Sequence, residues 1–130
     1  MPVTNERKYL GDVLKYEDEN LYCRETVTVL AGADVPRALT VGMVLGRITA
    51  TGKVKQIDFS ANDGSEQAYG VLLADVTAPV GADVEGVALV NGPAIVADNG
   101  LIWPDGATAP QKATAIAQLR AAWIKVYQGA

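Results

Sequence analysis

Gly100-Leu101-Ile102-Trp103-Pro104-Asp105-Gly106, then Thr108-Ala109-Pro110-Gln111, then Ala122-Trp123-Ile124-Lys125-Val126-Tyr127 is the stretch whose reading decides the fold. An apolar run of the buried type stops at Trp103-Pro104. Thr108 and Gln111 then stand at capping-box spacing. The Thr hydroxyl accepts from the Gln111 amide N–H, and the Gln side chain reaches back to the Thr108 amide N–H. Pro110 falls in the first turn, where a missing N–H costs little. Ala113, Ile116, Ala117 and Leu119 or Arg120 follow along one side at helical spacing. In the closing segment Ala122, Ile124 and Val126 alternate with Trp123, Lys125 and Tyr127, the period of a strand with two unlike faces.

Working back from this stretch, the same alternation is seen from residue 21 onward. Tyr22, Arg24, Thr26 and Thr28 share one face, and Cys23, Glu25, Val27 and Val29 share the other, which suits a half-buried strand. Pro36 pushes Val35 out of the helical region and opens an extended stretch. Residues 39–41 and 44–49 read as short strands punctuated by Gly42 and Gly46, at turn and bulge positions. Thr51-Gly52 is a turn into residues 53–59, and Asn62-Asp63-Gly64-Ser65 is a second turn. Residues 69–76 form a nearly continuous apolar run, read as a central buried strand. Residues 84–90 and 94–96 flank Asn91-Gly92, the strongest hairpin signal of the chain. Pro93 starts the returning strand at an edge or at an unpaired position. The fold class is therefore mainly β (α+β): a small irregular β domain with one short C-terminal helix. The 13 glycines and 6 prolines agree with a turn-rich chain.

Residues 1–20 differ from the rest. Glu6, Arg7, Lys8, Asp12, Lys15, Glu17, Asp18 and Glu19 make them the most charged part of the chain. Among these charges stand Tyr9, Leu10, Val13, Leu14 and Tyr16, with Gly11 as a helix break. That mixture predicts an N-terminal arm, residues 1–20, ahead of a folded domain at 21–130. The arm carries too many apolar residues for a pure solubility tail and is expected to order on a partner.

Chemistry is constrained by what is missing. With 0 histidines, the commonest general base and metal ligand are absent, and no Ser-His or Cys-His nucleophile exists within one chain. The 1 cysteine, Cys23, excludes an internal disulfide and reads as a small buried hydrophobe. Glu17-Asp18-Glu19 reads as a solvated charge run. Asp58, Asp63 and Glu66 surround a turn without the ligand spacing of a calcium loop. Gly42 to Gly46 lacks the Gly-Lys-Ser/Thr of a phosphate loop. A net charge of −4 with scattered Lys and Arg argues against a nucleic-acid partner. No apolar run approaches a membrane span, and the charged N-terminus lacks the apolar centre of a signal peptide, so no membrane partner and cytoplasmic synthesis are expected. Neither an enzyme nor a cofactor is expected; the class is an interaction or structural protein. The alternative is a small β-rich ligand- or carbohydrate-binding module, which would need aromatic residues converging on one exposed cleft.

The order Tyr69-Gly70-Val71-Leu72-Leu73, a Val/Ala-rich strand pair, Leu101-Ile102-Trp103-Pro104-Asp105, the helical segment from Ala109 to Ile116 and the terminal strand resembles the lambda-type head decoration proteins of tailed bacteriophages. The resemblance covers residues 68–126, and Tyr9 to Tyr16 followed by Tyr22 to Val29 is similar to the front end of longer members. It implies a homotrimer on the outer surface of an expanded phage capsid in the virion, stabilising the head against internal DNA pressure. The implied partners are the major capsid protein lattice and two further copies of this chain, made in the bacterial host cytoplasm. It further implies that the arm (Tyr9, Leu10, Val13, Leu14, Tyr16) orders against the shell. Trp103, Trp123 and Tyr127 are the candidates for subunit contacts. Residues 1–20 and 44–65 run longer than in the shortest members, so detailed contacts are not carried over there.

Overall fold

A closed five-stranded barrel forms the centre of the computed structural model, in which residues 10–18 and 23–127 are described. In chain order the elements are α1 (Leu10–Val13), β1 (Leu14–Glu17), β2 (Arg24–Val29), β3 (Arg37–Leu39), β4 (Val44–Arg47), β5 (Val54–Gln56), β6 (Ala68–Leu72), β7 (Val76–Ala78), β8 (Val84–Leu89) and β9 (Ala94–Ala97). A 3-10 turn (Asp98–Gly100), α2 (Ala109–Ala121) and β10 (Ile124–Tyr127) complete the chain. The barrel order is β2-β5-β4-β6-β8, closed by antiparallel pairing of β8 with β2. A three-stranded sheet, β1-β9-β10, and a two-stranded ribbon, β3-β7, are added to it. The fold is mainly β with one C-terminal helix.

Val44 to Gly46 of β4 and Gly70 to Leu72 of β6 are buried on both faces, whereas β8 alternates, with Glu85 and Val87 exposed, until Ala88 and Leu89. Leu45, Leu72 and Ala88 enter one hydrophobic cluster with Val27, Val29 and Val54. Their chain neighbours Val44, Val71 and Leu89 enter the second, with Val13, Val96, Leu119 and Ile124. One cluster fills the barrel side, and the other glues the barrel to the small sheet and α2. Residues 69–76 are thus central, as their composition predicts, but the strand stops at Leu72. The chain then turns through Asp75, whose carboxylate accepts the Val41 N–H at 2.9 Å, and Val76 opens β7.

Gly46 and Gly92 are among the glycines that close approach requires. Gly46 marks a register shift in the β4–β6 ladder, the expected bulge, and a Cβ there would overlap the Ser65 carbonyl. Gly92 lies against the Trp123 carbonyl, which fills the place of its missing side chain. The Gly92–Pro93 peptide is cis.

The hairpin expected at Asn91-Gly92 does not form. β8 pairs with β2 and β6, whereas β9 pairs with β1 and β10. The C-terminal segment takes the place a returning strand would have: Gly92 N–H donates to Ala122 O at 2.9 Å and Ala94 N–H to Trp123 O at 3.1 Å. The strand after Pro93 is the middle of its sheet, not an edge. Pro93 itself stands before the ladder, and only its carbonyl is used, accepting from Asp18 N–H at 3.0 Å.

The helix cap is as the sequence predicts. Thr108 Oγ1 accepts from Gln111 N–H at 3.3 Å, and Gln111 Oε1 accepts from Thr108 N–H at 2.9 Å. The buried side of α2 is different: Ala115 and Leu119 are buried, Ile116 is half-buried, and Ala113 and Ala117 face solvent. An alanine-rich helix carries little apolar asymmetry, so one leucine and the tertiary contacts orient it. Gln118 adds a tether, its Oε1 accepting the Ala68 N–H at 2.7 Å at the start of β6.

Thr108→Ala is expected to lower unfolding stability by about 1 kcal/mol, read from the urea midpoint. Gly46→Ala is expected to cost about 1–3 kcal/mol through overpacking against the Ser65 carbonyl. A Gly46→Ala protein as stable as wild type would contradict the close approach.

Candidate interaction surface

The small sheet carries three of the residues singled out in the sequence, Leu14, Tyr16 and Tyr127, and Trp123 stands just before β10. Parity along β10 sends Ile124 inward, where it is fully buried, and Lys125 and Tyr127 outward. Register carries these faces across the sheet. Lys125 is beside Ile95, and Ile95 is beside Tyr16. Tyr127 stands beside Ala97, one row along. The outer face therefore presents Tyr16, Ile95, Lys125 and Tyr127 in adjacent positions, with Trp123 at the rim where β10 begins. Tyr16 is 50% exposed, Tyr127 49% and Trp123 76%.

Trp123 also has a left-handed backbone, φ 67°. It follows the C-cap of α2, a position where glycine is the usual residue. Its N–H donates to Arg120 O at 2.9 Å, and its carbonyl receives the Ala94 N–H, so the backbone is held from both sides. A bulky residue held in this region costs roughly 1–2 kcal/mol.

The other residues are distributed differently. Trp103 is half-buried against the second cluster and stacks on Phe59 at 6.4 Å between ring centroids. Its own chain supplies its partner. Val13 is fully buried, and Leu10 and Leu14 pack against the same cluster. Tyr9 lies outside the described residues. Leu10–Glu17 thus packs with the domain rather than apart from it. Its period is obscured because four residues are helical and the next four, with a register shift between Leu14 and Tyr16, are strand. Glu17 is not a solvated charge: its carboxylate forms a bidentate pair with the Arg24 guanidinium, which ties β1 to β2. That hydrogen bonding raises the Arg24 pKa above its ordinary value.

The remaining carboxylates of interest serve turns. Asp58 accepts from the Ser60 hydroxyl at 2.7 Å and from its N–H at 3.1 Å. Asp63 accepts from the Ser65 hydroxyl and N–H, and Glu66 from Gly64 N–H. Among the described residues no group of three His, Cys, Asp or Glu is placed to hold a metal. Cys23 is fully buried, as a small hydrophobe. Among the described residues no helix is long and apolar enough to cross a membrane. Two cavities of about 400 and 200 Å³ each take one aromatic, Tyr69 and Phe59 respectively, and Tyr16, Trp123 and Tyr127 line neither. The aromatic convergence required by a carbohydrate module is not found in these two cavities.

What the arrangement offers is a contact surface on a small β domain. Residues 3–124 match the family described as Bacteriophage lambda head decoration protein D. The chain belongs to that family. A comparison with individual curated proteins finds no match. The family is one of structural phage proteins that decorate capsids, so it implies association with capsid protein at the outer surface of the virion.

Two measurements follow from this packing. Val13→Ala is expected to destabilise the domain by about 1.5–3 kcal/mol in chemical unfolding. The second is acid sensitivity. The Asp58 and Asp63 carboxyls are held below their ordinary range chiefly by hydrogen bonds from Ser60 and Ser65. Asp83 is lowered first by its hydrogen bond from Lys53, 2.8 Å away, and then by the Ala31 N–H. Their contribution is complete above the ordinary carboxylate pKa near ~4 and is lost as pH falls through the lower folded values. Urea midpoints should therefore drop between about pH 5 and pH 2, and less steeply in Asp63→Asn.

Proposed function

We propose that this chain binds as a homotrimer to the outside of an expanded phage capsid and holds neighbouring capsomers together against the pressure of packaged DNA. The observation that carries the reading, beyond family membership, is the outer face of the β1-β9-β10 sheet. It exposes Trp123 and Tyr127 on a backbone held in place by internal hydrogen bonds. Exposed aromatics on a fixed backbone are enriched among the residues that anchor subunit contacts. Trp103, stacked within its own chain, is the weaker of the three contact candidates.

The mechanism is linkage. A trimer that binds only the assembled, expanded lattice stabilises that lattice by mass action. Three attachment points on one rigid body act together, so each contact can be weak. The capsid-contacting arm in this reading consists of the residues up to Tyr9 together with the exposed Tyr16. Leu10 and Leu14 form its root, and Val13 anchors that root in the core. Such an arm can add backbone hydrogen bonds to an exposed sheet edge of the shell protein with little demand on sequence.

Sedimentation at micromolar concentration should give the mass of three chains. Trp123→Gly, which relieves the left-handed backbone, should leave the fold intact and reduce the trimer. A strict monomer in the wild type, or an undiminished trimer in the variant, contradicts the corresponding part. Deletion of residues 1–9 should leave the trimer and weaken capsid binding, whereas deletion of residues 1–17 should destabilise the domain itself. Truncation at 9 that binds expanded heads as tightly as the full chain removes the arm from the proposal.

A further inference from the structure

The larger cavity, about 400 Å³, is lined by Arg47, Thr49, Gly64, Gln67, Ala68 and Tyr69, and neither the fold nor the capsid reading uses it. Arg47 ends β4 and its side chain leaves the barrel. The guanidinium lies over the Tyr69 ring, 5.2 Å from its centroid. On another side it is close to the Thr51-Gly52 turn, where a Cβ on Gly52 would sit 3.4 Å from Nη2. Among the described residues no carboxylate pairs with it. This is a planar cation held by an aromatic face and a bare turn, with its donors free.

The walls were built for other reasons and leave the space open. Gly64, φ 104°, brings the 62–65 turn so close that a Cβ would overlap the Thr49 hydroxyl. The nearby carboxylates are engaged elsewhere: Glu25 accepts the Tyr69 hydroxyl at 2.8 Å, Glu66 the Gly64 N–H at 2.8 Å, and Asp63 the Ser65 N–H at 3.0 Å. The Tyr69–Glu25 bond also fixes the ring beneath Arg47, and burial followed by that bond raises the Tyr69 pKa.

We infer that this cavity is a carboxylate-binding site, with the Arg47 fork as the charged donor and Thr49 and Gln67 as flanking polar groups. A planar guanidinium with paired N–H donors matches a carboxylate bidentately, and stacking reduces the freedom it loses on binding. The three nearby carboxylates oppose an anion, so the site is weak and salt-sensitive and serves best as one contact of a multivalent particle. Its ligand is either an acidic side chain of a protein or an acidic sugar.

The test uses the full-length protein alone and does not depend on capsid binding. The Arg47 Nε–H resonance and backbone amides of residues 47–69 are followed by NMR during titration with acetyl-Gly-Glu-Gly-amide and, separately, D-glucuronate. The neutral counterparts acetyl-Gly-Gln-Gly-amide and D-glucose are the controls. Saturable shifts with a carboxylate probe that exceed those of its neutral counterpart at least tenfold in apparent affinity support the site. Loss in Arg47→Gln and weakening in Tyr69→Leu support it further. A response to the peptide alone assigns a protein source, and to the sugar acid alone a glycan source. Arg47→Gln is first checked for an unchanged amide fingerprint; if it is misfolded, Gln67→Ala, an exposed position, replaces it and must weaken the response. No saturable shift with either acid, equal shifts with the neutral probes, or shifts indifferent to the variants overturn the inference.

Discussion

The carbonyl of Trp123 stands where a side chain on residue 92 would be, and the architecture of the C-terminal half follows from that approach. With Gly92 bare, the start of β10 comes close enough to the start of β9 for Gly92 and Ala94 to donate to Ala122 and Trp123. The two strands then run parallel from Ala94 and Ile124 onward. Parallel neighbours need a long crossover, and α2 is that crossover. Its Ala115 and Leu119 close one side of the core that Val96 and Ile124 close from the sheet. One missing Cβ thereby permits a sheet, a helix position and a core at once.

Because β10 holds one edge of β9, the other edge is available to β1. Segments near both ends of the chain meet in one three-stranded sheet, and its two faces have separate duties. The inner face seals the core with Val96 and Ile124, and the Val13 and Leu14 side chains join it from the N-terminal side. The outer face leaves Tyr16 and Tyr127 at half exposure and Trp123 at the rim. Under the proposed function, the surface offered to partners is the back of a layer that the fold needs for its own stability. The Arg24–Glu17 pair fastens that layer to the barrel at the point where the N-terminal segment joins β2.

Legibility in the sequence followed the range of the interaction. The Thr108–Gln111 cap and the alternation through 122–127 depend on residues within a few positions, and each is seen where its pattern stands. Asn91-Gly92 is an equally local signal, and it misleads because the competing partner for β9 comes from some thirty residues later along the chain. The packing of Leu10–Glu17 was hidden for a related reason. Four helical residues and four strand residues give no period long enough to read, and what places them is β9. Trp123 and Tyr127 were legible as outward residues by parity, but their neighbour Tyr16 is set by cross-strand register alone. The Arg47–Tyr69 stack joins β4 to β6 through an antiparallel ladder with a shift in it, and no spacing in the sequence announces it.

Trp123 shows how the balance between fold and surface is struck. Its left-handed backbone costs the isolated domain roughly 1–2 kcal/mol, which glycine would avoid. The position tolerates the cost because the helix end and the β9 ladder hold the backbone from both sides, whatever the side chain. The side chain gains nothing within the chain, being 76% exposed. An indole buries on the order of 150–250 Å² in a contact. At about 25 cal/mol per Å², covering the part left open contributes at most about 3–5 kcal/mol per subunit before the ordering costs of association are subtracted. A residue that is a liability in one chain can thus offset its strain in the assembly proposed.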